Sequence, residues 1–222
     1  MPHKYPLTVS QTKELLAKYG SPLQIYDQDA IQDHVKLFLE SFRKKFPEFQ
    51  QYYAVKALPN PHILKALYQV GCKFDCSSRS ELLICQQMGV KGDEIMFTSN
   101  YTSAADLKLA LKMGVIINLD DISLLPTLLE IGRPSNISFR LNPGMGTTEA
   151  KTESNVLGGK DAKFGIPVEQ SEEAYLLAQK AGIKKLGIHM MAGSCVMNYG
   201  YWEELIDIIM MIEIIKFDNR FN

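Results

Sequence analysis

The chain has 222 residues, of which 46% are hydrophobic and 22% charged, and its formal net charge is −1. This length and composition allow one large domain or two small ones with a substantial core. Because the net charge is near zero and no long Lys/Arg run occurs, we expect no nucleic-acid partner. No apolar stretch is long enough to cross a bilayer, and residues 1–6 lack the apolar core of a signal peptide, so we expect no membrane partner either.

The cysteines give no metal-binding pattern. Cys72 and Cys76 are spaced too widely for a Cys-x-x-Cys pair, and Cys85 and Cys195 form no second pair. We therefore expect reduced thiols and a cytoplasmic location.

The first 46 residues predict two helices with a short strand between them. Residues 7–19 carry a helical pattern that Gly20 ends, and residues 23–27 alternate as in a strand. Residues 28–46 predict a long amphipathic helix that Pro47 ends, because proline cannot continue the hydrogen-bond ladder. The apolar side chains of this helix recur at steps of three and four residues and share one face: Ile31, Val35, Phe38, Phe42 and Phe46.

The stretch from Gln51 to Pro61 predicts a buried strand that ends on Lys56, followed by a helix that Asn60 caps. A lysine at such a strand end can be held out of bulk water, where its neutral amine attacks a carbonyl. On this stretch alone, a lysine that simply extends to solvent is the better interpretation.

From this strand onward, strand and helix alternate six times. The later strands are predicted at residues 73–76, 94–98, 115–119, 136–141 and 186–191, and a last helix at residues 201–217. The intervening helices begin near Asn60, Ser78, Ser103, Asp120 and Ser171, and Ser78 with Glu81 forms a capping box that explains Glu81 without catalysis. Each of these helices ends on a glycine that can take the left-handed conformation, namely Gly71, Gly89, Gly114, Gly132 and Gly182.

Alternation of apolar strands with helices predicts a parallel sheet covered by helices. A doubly wound sheet and a (β/α) barrel both fit this pattern, although no G-x-G-x-x-G follows any strand. In a barrel, the chemistry lies at the carboxyl ends of the strands. The residues at those ends form a polar, titratable set that favours a functional role for the lysine: Lys56, Asp75, Cys76, Thr98, Ser99, Asp120, Arg140, Asn142 and residues 189–194.

Five motifs occur in order along these strand ends. They are Tyr53-Ala54-Val55-Lys56-Ala57, residues 74–81 (FDCSSRSE), Arg140-Leu141-Asn142-Pro143, Lys163-Phe164-Gly165-Ile166 and residues 187–194 (GIHMMAGS). From about Pro22 to Tyr201, the chain resembles the fold-type III pyridoxal-phosphate decarboxylases, the group of diaminopimelate, ornithine and related decarboxylases. The resemblance implies an N-terminal (β/α)8 TIM-type barrel that binds pyridoxal 5'-phosphate, a C-terminal β domain, and homodimers with shared active sites.

The resemblance also implies residue roles. Lys56 matches the lysine that bonds to the cofactor aldehyde. Asp75 matches an acidic residue close to the cofactor that pairs with a strand-end arginine, here Arg140, and a purely structural ion pair is the alternative. Ser194 matches a serine that holds the cofactor phosphate, and an ordinary Gly-Ser turn is the alternative. We expect the loop at residues 144–162 to lie near the mouth of the site.

One position departs from the family pattern. Relatives usually carry a His-x-Gly-Ser segment whose histidine stacks on the cofactor, and here Met191 occupies the aligned position. His189 lies two residues earlier and so points to the same side of the strand. We expect both His189 and Met191 to contact the cofactor, with the thioether packing on its ring.

The predicted strands are fewer than a complete barrel needs. Six strands follow residue 50, whereas a TIM barrel has about eight strands in roughly 250 residues. The resemblance also implies a glycine-rich phosphate loop, an acidic partner of the pyridine nitrogen and a C-terminal β domain, and we expect these 222 residues to lack them. We therefore expect residues 1–27 to form an N-terminal segment, and residues 28–222 to form an incomplete cofactor-binding barrel that is weakly active or inactive by itself.

The motifs favour one function over three alternatives. Residues 139–143 and 163–166 look most like the diaminopimelate branch, which converts meso-diaminopimelate to lysine and CO2 in lysine biosynthesis. Residues 74–78 look closer to the ornithine branch, so an ornithine- or carboxynorspermidine-type decarboxylase is an alternative. An amino-acid racemase on the same fold and a non-catalytic cofactor-binding remnant are the other two. In each case the partner is a small amino-acid substrate or the cofactor.

Overall fold

The computed structural model describes residues 7–145, 147–148, 162–191, 193–194 and 196–217, and for residues 147, 148, 194 and 211–217 it describes only the backbone. The chain divides into two compact units. One comprises Met1–Gln51 and Asn60–Cys72, and the other comprises Tyr52–Pro59 and Lys73–Asn222. The boundary that we predict after residue 27 is a different division and stays a prediction.

The first unit contains three helices with side-chain caps. They are α1 (Val9–Tyr19), α2 (Gln28–Arg43) and α3 (Pro61–Gln69). Thr8 caps α1, Asp27 accepts a hydrogen bond from the Ala30 N–H, and Asn60 accepts one from the His62 N–H. These caps satisfy N–H groups that have no partner inside a helix. The predicted amphipathic helix is confirmed, although it ends at Arg43, three residues before Phe46.

Residues 23–27 do not form the predicted strand. Within the described part of the chain no strand lies beside them to complete a hydrogen-bond ladder, and Ile25 and Tyr26 are exposed. An alternating segment of five residues has no stability as a strand without a partner. Asp27 instead caps α2.

The second unit consists of strands that alternate with helices. In chain order its elements are β1 (Tyr52–Ala54), β2 (Lys73–Cys76), α4 (Arg79–Gln87), β3 (Ile95–Thr98), α5 (Ala104–Met113), β4 (Ile116–Leu119), α6 (Leu124–Ile131), β5 (Asn136–Asn142), β6 (Thr147–Thr148), β7 (Ile166–Pro167), α7 (Val168–Lys180), β8 (Lys185–Met190), β9 (Gly193–Ser194) and α8 (Tyr199–Phe217). The predicted rhythm is therefore confirmed, with element ends that differ by a few residues.

The strand order decides between the two predicted folds. The main strands lie in the order β1-β2-β3-β4-β5-β8, and every neighbouring pair is parallel. Each new strand is added on the same side, whereas a doubly wound sheet reverses its direction of growth. The short β7 pairs with Leu141 and Asn142, beyond the part of β5 that pairs with β4. The sheet is therefore part of a (β/α) barrel, in which the described strands number fewer than a closed barrel requires.

The register gives the sheet one apolar and one polar face. Phe74, Phe97, Ile117 and Phe139 alternate with polar residues and are at most 1% exposed. On this face α4 contacts β2, α5 contacts β4 and α7 contacts β5, which places the core between sheet and helices. Side chains of successive strand residues point to opposite faces. The other face therefore carries a polar row: Asp75, Thr98, Asn118, Ser138, Arg140 and His189.

Two of the predicted helix starts are wrong. Asp120 does not cap α6, which begins at Leu124 after an Asp121 carboxylate that accepts the Ser123 N–H. The helix predicted to begin at Ser171 begins at Val168, and the Ser171 hydroxyl donates to the Val168 carbonyl inside the first turn. Serine and aspartate bond to nearby backbone both at caps and within first turns, so sequence alone does not distinguish these positions.

Candidate active site

Lys56 lies in a 3₁₀ turn at the carboxyl end of β1. The strand ends at Ala54, two residues earlier than predicted, and the Leu58 N–H donates to the Val55 carbonyl to close the turn. Val55 is fully buried, whereas Lys56 is exposed. The described residues therefore do not shelter the amine from water as predicted. They leave it accessible to a ligand at the carboxyl end of the sheet.

Asp75 lies on β2 opposite Ala54 of β1. The Thr98 hydroxyl donates a hydrogen bond of 2.6 Å to the Asp75 carboxylate. Burial raises the pKa of the Asp75 carboxyl, while the Thr98 hydrogen bond, Lys56 and Arg140 oppose that rise. Lys56 and Arg140 are therefore close enough to Asp75 to act on its charge, and the three predicted residues share one end of the sheet.

Arg140 lies on β5 and is 8% exposed. Neither of the two ion pairs found among the described residues includes it. The predicted direct pair with Asp75 is thus not formed, because Asp75 is satisfied by Thr98 instead. The Arg140 guanidinium carbon lies 5.5 Å from the centre of the Phe164 ring, in a cation–π arrangement. Burial lowers the pKa of the Arg140 guanidinium, and Asp120 and Asp75 act in the opposite direction.

Asp120 belongs to the strand-end set that we predict, but we assigned it only the role of a helix cap. It follows β4, it is 8% exposed, and its Oδ1 atom has no hydrogen-bond partner among the described residues. Burial raises the pKa of its carboxyl, and Arg140 opposes that rise. Sequence reasoning placed Asp120 at a strand end but explained it as a helix cap. Two consecutive aspartates, Asp120 and Asp121, were the available signal, since a helix needs only one of them as a cap.

His189 lies on β8 directly opposite Arg140 of β5. Its Nδ1 atom is buried and has no hydrogen-bond partner in the described part of the chain. Burial, and secondly the positive charge of Arg140, lower the pKa of His189 to about 4. The imidazole is therefore neutral at pH 7. The prediction that His189 belongs to the strand-end cluster agrees with this geometry.

The described residues give less detail around Met191 and Ser194. Met191 follows β8 and is 38% exposed. The Ser194 backbone pairs with Thr148 in a two-stranded ladder, and its side chain lies outside the described atoms. A Cβ added to Gly193 would lie 3.0 Å from the Val196 side chain, so packing within this chain explains that glycine. Most of the predicted loop at residues 144–162 and Cys195 also lie outside the described residues.

Glu81 has the structural role that we predict. Its carboxylate accepts hydrogen bonds from the Ser77 N–H and the Ser78 hydroxyl, and its own N–H donates to Ser78. Cys72, Cys76 and Cys85 are buried free thiols, and the sulfur atoms of Cys76 and Cys85 lie 3.6 Å apart. The hydrogen bonds of Glu81 stabilise the start of α4, and the three cysteine side chains pack in the core.

The cluster suits a ligand that carries an aldehyde and negative charge. Lys56 offers an exposed amine, and Arg140 offers a positive charge that, like that of Lys56, acts on Asp75. The buried polar atoms of Asp120 and His189 lack partners within the described chain, and a bound polar group would satisfy such atoms. Perturbed titratable groups gathered at the carboxyl ends of barrel strands are typical of an active site.

A protein-family model described as "Pyridoxal-dependent decarboxylase, pyridoxal binding domain" matches residues 32–216. The chain belongs to this family. The match identifies pyridoxal phosphate as the cofactor and confirms the resemblance found in the motifs.

Individual relatives fit this assignment. The chain is 36% identical over 178 residues to protein TabA of Pseudomonas amygdali pv. tabaci, covering 80% of this chain and 41% of that protein. It is 33% identical over 181 residues to the diaminopimelate decarboxylase of Thermoplasma acidophilum, covering 82% of this chain and 43% of that protein. A crystal structure of diaminopimelate decarboxylase from Helicobacter pylori complexed with L-lysine superposes with a TM-score of 0.80 at 26% identity. The match covers 92% of this chain and 53% of that one. The chain spans about half the length of the curated relatives it matches.

No helix within the described part of the chain combines the length and apolarity that a membrane crossing requires.

Proposed function

We propose that this chain holds pyridoxal 5'-phosphate through Lys56 and belongs to a decarboxylase of the diaminopimelate type, which converts meso-diaminopimelate to lysine and CO2. The observation that carries this proposal is the cluster of Lys56, Asp75, Arg140 and His189 toward the carboxyl ends of β1, β2, β5 and β8. The diaminopimelate decarboxylases among the relatives support the substrate class, a small amino acid.

The chain's own residues have separate parts in this proposal. Lys56 presents an amine that bonds to the cofactor aldehyde. Arg140 places a positive charge at the same end of the sheet. The negative charge of Asp75 partly offsets that positive charge. His189 is neutral at pH 7 and so adds no further positive charge there. When bound, the cofactor supplies an electron sink for loss of the substrate carboxylate.

Met191 and Ser194 complete the proposed binding site. Met191 is partly exposed immediately after β8, where its thioether is available to pack against an aromatic ring. Ser194 is proposed to hold the cofactor phosphate, on the strength of its Gly-Ser motif at the carboxyl end of the sheet. We also propose a cytoplasmic location and a homodimer, with neither nucleic acid nor membrane as a partner.

A non-catalytic cofactor-binding chain is the second candidate. Two observations favour it: the described residues leave Lys56 exposed to water, and Met191 replaces the histidine of the family motif. This candidate shares the cofactor and the lysine with the first. It differs in predicting no release of CO2 from any amino acid.

The test of the proposal is covalent trapping. We expect the purified chain mixed with pyridoxal phosphate to develop an absorbance band at the border of the near-ultraviolet and the visible. Reduction with sodium borohydride should fix the cofactor on the peptide that contains Lys56, as measured by mass spectrometry. Lys56→Ala should abolish both signals.

Lys65→Ala is the matched control, because Lys65 is an exposed lysine on α3. It should behave as the unmodified chain does. Trapping on other lysines at an unchanged level in Lys56→Ala would overturn the assignment. A CO2-release assay with diaminopimelate, ornithine and lysine then separates the two candidates, since the decarboxylase favours diaminopimelate and the non-catalytic chain releases none.

A further inference from the structure

Arg140 is a nearly buried cation in a cation–π contact with an aromatic ring. It is 8% exposed and its guanidinium carbon lies 5.5 Å from the centre of the Phe164 ring. Asp75 and Asp120 influence its pKa, but among the described residues neither comes within 4.0 Å as an ion-pair partner. A long flexible side chain between two carboxylates would be expected to pair with one of them. The guanidinium lies against the ring and outside ion-pair distance of both carboxylates.

Phe164 is itself fixed by its neighbours in the chain. The Gly165 N–H donates to the Asp120 carbonyl at 3.2 Å, and Ile166 pairs with Leu141 at the end of β5. Gly165 has a φ of +97°, and a Cβ there would lie 3.1 Å from the Asn142 nitrogen. Glycine is required at this position both by conformation and by space. The backbone beside Phe164 is thus attached to the carboxyl ends of β4 and β5.

Tyr101 also contacts the Phe164 ring. The two ring centres are 5.6 Å apart and the planes meet at 75°, which is an edge-to-face contact. Tyr101 has a φ of +53°, a left-handed conformation that is rare and unfavourable for a bulky residue. Strain of this kind persists where surrounding contacts fix the residue, and it is concentrated at functional sites.

We propose that Phe164 is a positioning residue, supported by Tyr101, that holds the Arg140 guanidinium over the polar face of the sheet and opposite His189. Arg140 then presents its charge to a bound ligand instead of pairing with Asp75 or Asp120. The proposal deepens the proposed function, and only its cofactor measurement rests on that function. Lys163-Phe164-Gly165 thereby acquires a physical role that the motif alone does not reveal.

The first test is free of cofactor. His189 lies opposite Arg140 in the register, and the Arg140 charge lowers its pKa. An NMR titration of the labelled chain, with His189→Asn to assign the signal, should give a midpoint near pH 4. Phe164→Leu should raise this midpoint by about half a pH unit, because the released guanidinium moves toward a carboxylate. Phe164→Tyr retains a ring and should restore the original midpoint.

The double variant distinguishes positioning from a general structural effect. In an Arg140→Met background, Phe164→Leu should produce no further change, because residues that act through one group are not additive. Phe46→Leu, at an exposed phenylalanine, is the control and should leave the midpoint unchanged. An unchanged midpoint in Phe164→Leu, or an equal shift with and without Arg140, would overturn the proposal.

The second test measures cofactor binding. Phe164→Leu should weaken pyridoxal phosphate binding about fivefold to tenfold by absorbance titration, a loss of the size expected for one cation–π contact. Phe164→Tyr should restore the affinity. If the unmodified chain binds no pyridoxal phosphate, the proposed function fails, while the titration of His189 still decides the role of Phe164.

Discussion

At the scale of single residues, the site consists of polar groups whose partners the sequence does not reveal. Asp75 and Arg140 were predicted to pair, but Thr98 satisfies Asp75 and the Phe164 ring lies over Arg140. The sequence identifies which residue types stand at strand ends. It does not specify which side chains meet across strands, because these contacts depend on the register between β2, β3 and β5.

The Thr98–Asp75 hydrogen bond gives one residue-scale prediction. Thr98→Val removes the donor and leaves a half-buried carboxylate short of a partner, which should cost about 1.5–3 kcal/mol of unfolding free energy at pH 7. In an Asp75→Asn background the acceptor is neutral, so the cost should fall to about 1 kcal/mol. Urea titrations followed by fluorescence of the single tryptophan, Trp202, measure both values. Equal costs in the two backgrounds would contradict this assignment.

His189 gives a second residue-scale prediction, for the dependence of stability on pH. Its pKa is about 4 in the folded chain and 6.5 in the unfolded reference. Between these values the unfolded chain binds more protons, so stability should fall as the pH is lowered from about 6.5 to about 4. The contribution to the slope approaches about 1.4 kcal/mol per pH unit.

The measurement is the free energy of unfolding by urea between pH 4.5 and pH 7. His189→Asn should flatten the curve over this range. His34→Asn, at an exposed histidine on α2, should leave the slope intact. A slope that persists in His189→Asn would show that other groups are responsible.

At the scale of elements, helix ends follow local chemistry more closely than strand ends do. Ser103 caps α5 through a hydrogen bond from the Asp106 N–H, and Gly114 ends it in the left-handed conformation, both as predicted. Gly132 stands in the same sequence position after α6 but has an extended backbone with a φ of 168°. A glycine after a helix permits the left-handed conformation without requiring it, since the following chain decides which form is used.

These two glycines make a matched pair for an element-scale prediction. Gly114→Ala places a Cβ in a left-handed residue and should cost about 1 kcal/mol of unfolding free energy, although its surroundings are open. Gly132→Ala places a Cβ at an ordinary contact distance of 3.5 Å from Leu111 and should be neutral or slightly stabilising. Thermal unfolding of the two variants measures the difference. Equal losses of stability would contradict the distinction between them.

At the scale of the whole molecule, the described sheet offers water access to its polar face. Lys56 is exposed at the carboxyl end of the sheet, and a separate cleft of about 210 Å³ at the amino ends of the strands is lined by residues including Ile116, Asn136 and Lys185. A decarboxylase excludes water from its reacting groups, since exclusion strengthens charge interactions and prevents side reactions. The described residues provide the cluster of groups without this exclusion.

We therefore predict slow turnover for the 222-residue polypeptide. Release of CO2 from meso-diaminopimelate should exceed the rate that pyridoxal phosphate gives without protein by only a small margin, and should stay far below the roughly 1–10³ s⁻¹ of ordinary enzymes. Lys56→Ala is the control that reports any contribution of the lysine. Turnover in the enzymatic range that depends on Lys56 would contradict this prediction, since it would show that the exposed site is sufficient for decarboxylation.

The sequence by itself determined the alternation of strands and helices, most helix caps and the strand-end positions of Lys56, Asp75, Arg140 and His189. These features depend on interactions between residues near one another in the chain, such as periodic burial and capping. Only the tertiary structure decided the barrel-type strand order, the polar face, the proximity of Asp120 to Arg140 and the Phe164 contact with Arg140. Each of these requires the register between strands that lie far apart in the sequence, and that register is fixed by packing of the whole sheet.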